Sequence, residues 1–400
     1  MSKIFEGLKV IDCGSFIAAP AATTVLADFG ADVIKIEPLG VGDPYRGVPK
    51  LPGLPRSEHN YGWLLDNRNK RGLALDLSKA EGQAVLHRLV GKADVFVTNY
   101  PLAVRKRLAI GHDALMELNP RLICASFTGY GETGEEADKP GFDMTAWWAR
   151  SGLMDMVRTS ADAPPARPVT GMGDHPSALA LFGAIAVALY QRERTGRGSY
   201  VGSSLIGNGL WSNGFLAQAA LCGASFTPRP PRERHANALT CYYRCRDDRW
   251  LLLTIMNEER AWPALAKCLG REDLVSDARF AKQSDRYARA GELIAIFDEA
   301  FAARDRSEWR SILTAASLIF EVVASPEEIP NDRQALDAGC LVPFEGDTML
   351  TIDSPFFVAG ADKVKPRRAP SVGQHSDDIL REAGYDAAAI QDLRSRKAVG

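Results

Sequence analysis

Leu8-Lys9-Val10-Ile11-Asp12-Cys13-Gly14 is the stretch from which the fold can be read. Its apolar core is too short for a helix, and it ends on Cys13-Gly14, so it reads as a strand leaving into a turn. Residues 20–29 then carry helical spacing and stop at Gly30, and residues 33–36 form the next short apolar run. Residues 73–77 repeat the strand pattern. Ser78-Lys79-Ala80-Glu81 follows as a capping box that opens a helix to about Val90. Residues 94–98 and 122–125 supply two more strands, with helical spacing at 102–108 between them. Strands that alternate with helices in this way predict an α/β, Rossmann-like parallel sheet.

Beyond Gly129 the texture changes to loops rich in Gly, Pro, Asp and Trp. Residues 176–194 then read as a long helix closed by Thr195-Gly196-Arg197-Gly198. Residues 242–243 and 250–255 read as a hairpin across Arg246-Asp247-Asp248-Arg249, followed by helices rich in Ala, Glu and Arg. Short strands at 350–352 and 356–358 and a helix after Ser376 complete the chain. The expected organisation is a large Rossmann-like domain over 1–200, a linker at 201–225, a smaller α+β domain over 226–330, and a return segment, 331–400, that completes the large domain.

Composition bounds the chemistry. The 400 residues carry 48 Lys and Arg against 50 Asp and Glu, a net charge of −2. This balance gives no long-range attraction to nucleic acid or to an anionic membrane, so neither is an expected partner. An anionic ligand must be met by a local group of basic side chains. With 46% hydrophobic and 24% charged residues the chain is globular, and its length exceeds what one core usually organises. Charges interrupt the N-terminal segment before any secretory apolar run, and the most apolar stretch, 178–190, falls short of the roughly 20 residues of a membrane helix. A cytoplasmic location is expected, with the seven scattered cysteines as reduced thiols. Cys241 and Cys245 lack a second pair, and the six histidines show no ligand spacing, so no metal site is expected.

The turn after the first strand, Gly14-Ser15-Phe16-Ile17-Ala18-Ala19-Pro20, is not the glycine fingerprint of a nicotinamide dinucleotide site. The chemically suggestive segment is Thr170-Gly171-Met172-Gly173-Asp174-His175-Pro176. Asp174 falls at or just before a helix N-terminus, where free N–H groups and the macrodipole favour a carboxylate. There it serves either as a helix cap or as a nucleophile toward an electrophilic carbonyl.

Several blocks then occur in order: Phe5-Glu6-Gly7-Leu8-Lys9-Val10-Ile11-Asp12, Leu26-Ala27-Asp28-Phe29-Gly30-Ala31-Asp32-Val33-Ile34-Lys35-Ile36-Glu37-Pro38, Gly42-Asp43-Pro44, Asn69-Lys70-Arg71, Ala93-Asp94-Val95-Phe96-Val97-Thr98-Asn99-Tyr100, Leu118-Asn119-Pro120-Arg121-Leu122-Ile123 and Arg194-Thr195-Gly196-Arg197-Gly198. Together they resemble the family III CoA-transferases, densely over 5–205 and more loosely beyond. The resemblance implies that Asp174 is the nucleophile, with CoA passing through an aspartyl anhydride and an aspartyl-CoA thioester. It implies an acyl-CoA and a small carboxylic acid as substrates, no tightly bound cofactor, and an interlocked homodimer. By position, Leu75, Asn99, Tyr100 and Arg107 match CoA contacts. Lys70 and Arg71 serve either phosphate contact or the hold on their loop. Backbone N–H groups near Gly171–Gly173 would be the oxyanion donors.

Departures from the pattern bear on the substrate. Ile17 stands where oxalate enzymes have a glutamine, Pro38 replaces a basic residue, and no glycine-rich lid lies between Pro228 and Thr240. An apolar acyl chain is expected instead of oxalate. Phe142, Trp147 and Trp148 would line its pocket, unless the two tryptophans belong to an interface or to the core. The related α-methylacyl-CoA racemases carry a histidine in a Gly-His-Asp motif; Gly141-Phe142-Asp143 has no imidazole there to move a proton. A non-catalytic acyl-CoA-binding paralogue is the other alternative, disfavoured because Asp174 is present. His175 is expected to point away and to have no role.

Overall fold

The computed structural model describes residues 3–400. Six parallel strands form one sheet: β1 (Lys9–Asp12), β2 (Asp32–Glu37), β3 (Arg71–Ala74), β4 (Val95–Thr98), β5 (Ile123–Thr128) and β6 (Tyr200–Ser204). Their order is β3-β2-β1-β4-β5-β6. The order reverses between β1 and β4, and the crevice beyond the strand C-termini at such a reversal is where ligands bind in open α/β sheets. Seven helices follow in the first half: α1 (Ala18–Asp28), α2 (Tyr61–Asn67), α3 (Ala80–Val90), α4 (Leu102–Arg107), α5 (His112–Leu118), α6 (Leu153–Met156) and α7 (Asp174–Thr195).

The chain divides into two units. The first comprises residues 1–156, 167–224 and 333–400; the second comprises 157–166 and 225–332. Each face of the large sheet carries a core. On one face lie Val10, Leu26, Val95, Ile123, Leu181 and Ile185, with α1 and α7. Every residue of α1 is buried, and its polar members Thr23, Thr24 and Asp28 are each hydrogen-bonded there. On the other face Ile11, Phe96, Leu86 and Leu115 pack with Ile379, Leu380, Ile390 and Leu393 of the C-terminal helices. The returning chain also covers the β3 edge. Arg367 N donates to Asn69 Oδ1 at 2.8 Å, Gly72 N to His375 Nδ1 at 3.0 Å, and Leu75 bridges Val399.

The second unit has its own core, in which Tyr243, Trp262, Phe297, Phe301 and Trp309 pack beneath the antiparallel strands Tyr242–Arg244, Trp250–Leu253 and Phe320–Val322. Buried Arg286 is held by Glu258 at 3.3 Å and Glu259 at 3.2 Å, over the face of Trp262.

Three local expectations are corrected. Residues 201–224 are no linker: they hold most of β6 and the helices Leu205–Ser212 and Gly214–Leu221, within the first unit, and the second begins at Ser225. The capping box at Ser78 does not form, because Ser78 Oγ bonds Asp76 Oδ1 at 2.6 Å and Lys79 occupies the cap position. Residues 356–358 form no strand, only a bridge between Val358 and Ala361. Of the readings left open for Trp147 and Trp148, the structure shows the core one: they stack on each other inside the core of the first unit. All seven cysteines are free thiols, and no helix among the described residues is long and apolar enough to cross a membrane.

Candidate active site

The turn after β1 is built around carboxylates and amides. Asn99, just past β4, accepts from Ser15 N at 2.8 Å and donates to Ser15 O at 2.7 Å, clamping the two sides of the switch point together. Asp43 Oδ1 accepts from Ser15 Oγ at 3.0 Å and from Phe16 N at 3.1 Å. Phe16, with φ of 60°, is thereby held in the left-handed region that non-glycine residues rarely occupy. Its ring meets Phe142 edge-on at 5.4 Å between centroids. The β1 turn and the Gly141-Phe142-Asp143 segment therefore share one wall.

That segment leads into a π-helical turn over Asp143–Ala149, a geometry often found at functional sites. Buried Asp143 accepts from Met144 N at 2.8 Å and from Gly173 N at 3.3 Å, which carries the wall to the start of α7. Gly173 occupies the cap position, and no side chain caps the helix. Asp174 is thus the first helical residue and not the cap, and its carboxylate accepts no hydrogen bond from the described residues. A Cβ on Gly173 would lie 2.6 Å from Trp147 Cγ, so only glycine lets the backbone lie against this indole. Gly171, at φ of 80°, turns the chain so that its carbonyl faces the ring of His175. The anticipated oxyanion donors are partly engaged: Gly173 N by Asp143, and Met172 N by Val169 O at 3.2 Å.

Electrostatics single out Asp174. Burial, then the charge of Asp143, push its pKa up to about 7, with His175 pulling the other way and Asp66 adding to the rise. His175 does not point away. Its Nδ1 lies 3.0 Å from Gly171 O and its Nε2 3.0 Å from Asp66 Oδ1, while Asp66 Oδ2 accepts from Tyr45 Oη at 2.7 Å. Burial favours the neutral ring, but the bond to Asp66 and the charges of Asp66 and Asp174 outweigh it, and the His175 pKa rises. A cavity of about 430 Å³ adjoins this pair, lined by Val25, Leu65, Asp66, His175, Leu179 and Pro355 among others.

The remaining anticipated residues fall into two sets. Leu75, Asn99 and Tyr100 all follow the C-terminal ends of their strands, on one edge of the sheet. Leu75 is buried, Tyr100 is half-buried against the same core, and burial raises the Tyr100 phenol well above its ordinary pKa. Arg107 ends α4 exposed, with no ion pair among the described residues. Lys70 and Arg71 face elsewhere. Lys70 Nζ is fully buried and reaches Asp12 Oδ2 at 2.8 Å, Pro20 O at 2.7 Å, Asp66 O at 2.8 Å and Asn67 Oδ1 at 3.0 Å. Arg71 is tied to Asp32 at 2.6 Å and Glu382 at 2.9 Å. Of the two roles open to this pair, the geometry matches holding the loop, since neither cation is left for a phosphate. Arg46 is likewise bound to Glu37, at 2.7 Å, over the ring of Trp63.

The profile of CoA-transferase family III matches residues 5–376. The chain belongs to this family. It is 33% identical over 400 residues to (R)-2-hydroxy-4-methylpentanoate CoA-transferase of Clostridioides difficile, covering 99% of each chain. It is 32% identical to cinnamoyl-CoA:phenyllactate CoA-transferase of Clostridium sporogenes, with 100% of this chain and 98% of the relative covered. Among solved structures, a CAIB/BAIF family protein from Brucella suis superposes with a TM-score of 0.85 at 27% identity, covering 96% of this chain and 100% of that one. The family III CoA-transferase is therefore an enzyme acting on CoA thioesters, and its mixed α/β fold with a six-stranded parallel sheet is that of its structural neighbours.

Tyr45, Asp66, Asp143 and His175 surround Asp174, and of these Tyr45 and Asp66 were not anticipated. Gly42-Asp43-Pro44 and Asn69-Lys70-Arg71 flank Tyr45 and Asp66 in sequence, and this proximity was the available signal.

Proposed function

We propose that Asp174 is the nucleophile of a CoA transfer between an acyl-CoA and a carboxylic acid. The supporting observation is an aspartate with no hydrogen-bond partner among the described residues, at the open first turn of α7, its pKa raised to about 7 by burial and by Asp143. In the scheme, the Asp174 carboxylate attacks the thioester carbonyl, giving an acyl-aspartyl anhydride and CoA thiolate. The thiolate attacks the aspartyl carbonyl, releasing the donor acid and leaving aspartyl-CoA. The acceptor carboxylate then displaces the thiolate to form a second anhydride. Attack of the thiolate on the acceptor acyl carbonyl yields the new acyl-CoA and frees Asp174. No proton or electron is gained or lost overall, and the thiolate itself is the carried group.

CoA is proposed to lie along the C-terminal edge of the sheet, past Leu75, Asn99 and Tyr100, with Arg107 available to its phosphates. Asn99 contributes by fixing the turn at Ser15 as much as by contact. Phe16, Ile17 and Phe142 give this end an apolar character that suits a branched or aromatic acyl chain rather than oxalate, in keeping with the substrates named for the two relatives. A racemase is disfavoured further because both nitrogens of His175 already face acceptors, so the ring offers no free base to an α-carbon. Exposed Val187 and Tyr190 on α7, with Trp211, Phe215 and Leu221 beyond it, leave an apolar surface that supports the proposed homodimer.

Incubation with an acyl-CoA and hydroxylamine should leave a mass shift on the peptide carrying Asp174. Asp174→Ala should abolish that shift and lower transfer by roughly 10⁴-fold or more while CoA still binds. Undiminished turnover of Asp174→Ala would sink the reading.

A further inference from the structure

We propose that Tyr45, Asp66 and His175 form a relay that holds an imidazolium beside Asp174, and that His175 is a positioning residue keeping the nucleophile in its carboxylate form. The inference rests on the reading of Asp174 as nucleophile.

The hydrogen bonds assign the protons. Gly171 O, 3.0 Å from His175 Nδ1, is a carbonyl and can only accept, so Nδ1 carries a hydrogen. Asp66 Oδ1, 3.0 Å from Nε2, accepts there when Asp66 is a carboxylate. The other Asp66 oxygen is already satisfied by Tyr45 Oη at 2.7 Å. Burial and the neighbouring carboxylates drive the Tyr45 phenol far above its ordinary pKa, so it remains the donor to Asp66 Oδ2. With an acceptor at each nitrogen, the ring is held as the doubly protonated cation.

The groups facing His175 bear this out from each element packed around it. Asp174 belongs to α7 itself and Asp66 comes from α2, while Tyr45, from the 3-10 turn Pro44–Lys50, reaches the ring only through Asp66, and Asp143, from the π-helical segment, acts on Asp174. The nearby cations are already committed. Arg68, on the same cavity, is bound to Asp28 at 2.6 Å, and Lys363 neutralises Asp353 at 2.6 Å. His175 is therefore the cation that offsets Asp174. Without it, burial and the Asp143 charge act on Asp174 unopposed, and more of the nucleophile is protonated at neutral pH. The position also suits the reaction: a fixed positive charge beside the nucleophile costs no reorganisation as negative charge moves between carboxylate, thiolate and oxyanion.

The test is the pH dependence of CoA transfer by purified protein, with hydroxylamine trapping at Asp174 measured in parallel. His175→Gln should lower kcat/KM about 10- to 100-fold at pH 7, move the acid limb upward by about one pH unit, and recover most of the loss near pH 9. KM for acyl-CoA should stay within about threefold. Tyr45→Phe, which removes one bond to Asp66, should shift the limb the same way by less. In NMR spectra of the wild type, the His175 ring should remain an imidazolium above pH 7, and Asp66→Asn should return it to neutral. An acid limb unmoved in His175→Gln would overturn the proposal, whatever the loss of rate; so would a wild-type His175 neutral at pH 7. If Asp174→Ala turned over normally, the nucleophile reading would fail instead, and the NMR titration would still decide the charge on His175.

Discussion

Asp12 and Asp174 stand in the same unit as buried or half-buried aspartates, and their surroundings drive them in opposite directions. Asp12 ends β1 and is fully buried. Burial alone would raise its pKa, but the charges of Lys35 and Lys70, with hydrogen bonds from Lys70 and Thr23, hold it well below the usual carboxylate range. Lys35 in turn reaches Asp43 Oδ2 at 3.0 Å and Gly14 O at 2.6 Å. Two cations and two anions thus close a balanced network beneath the switch point. Asp174 has no such closure. The charges acting on it are Asp143 and Asp66, which repel it, and a single imidazole. A buried charge that is fully paired reads as framework, whereas one left short of partners is where reactivity can be stored.

The comparison breaks most readily at Asp12. Asp12→Ala would leave Lys35 and Lys70 buried beside each other without their shared anion, a change expected to cost about 3–5 kcal/mol. Thermal unfolding should show a lower midpoint or no soluble protein, and lowered activity only as a consequence. A variant with wild-type Tm would mean that the network is not framework at all. At Asp174 the expectation is reversed, since its removal should eliminate transfer and leave the fold intact.

Gly173→Ala probes the geometry that keeps Asp174 open. The added Cβ would lie 2.6 Å from Trp147 Cγ, and a buried indole stacked on Trp148 has little room to retreat. A loss of about 1–3 kcal/mol in stability is expected, with at least a tenfold fall in transfer as the first turn of α7 shifts. Wild-type kinetics in this variant would show that the close approach of backbone and indole does not position the nucleophile.

How far each region could be read from sequence follows from the same contrast. Strands β1, β2, β4 and β5 are short apolar runs between turn signals, and local pattern is enough to find them, whereas β3 begins at Arg71 and ends at Ala74, sharing only two residues with the run at 73–77. β6, Tyr-Val-Gly-Ser-Ser, lacks such a run and is a strand because β5 pairs with it along its whole length. Asp174 was legible because two glycines and a proline mark the start of its helix. Its partners were not, because Asp66 and His175 meet across 109 residues of chain and only the fold brings them together. Lys70 shows the converse: a basic residue in a family block displays its charge in the sequence, but not the four buried oxygens that occupy it.

The finest test sets the pH dependence of stability at the two aspartates against each other. Asp174 has its pKa raised from 3.8 to about 7 on folding, so the folded state keeps a proton that the unfolded chain has already released. That contribution is fully present below pH 4 and is lost as pH rises through about 7. Asp174→Asn cannot titrate. It should therefore match the wild type near pH 4 and become the more stable of the two at pH 8, by roughly 2 °C or more in Tm. Asp12 has the opposite sign, because its pKa falls on folding: its contribution is present above pH 4 and is lost as the pH drops. Calorimetry of Asp174→Asn from pH 4 to pH 8 should thus show a stability gain that grows with pH. A constant offset would mean that Asp174 is already ionised throughout this range, and the electrostatic distinction between the two sites would collapse.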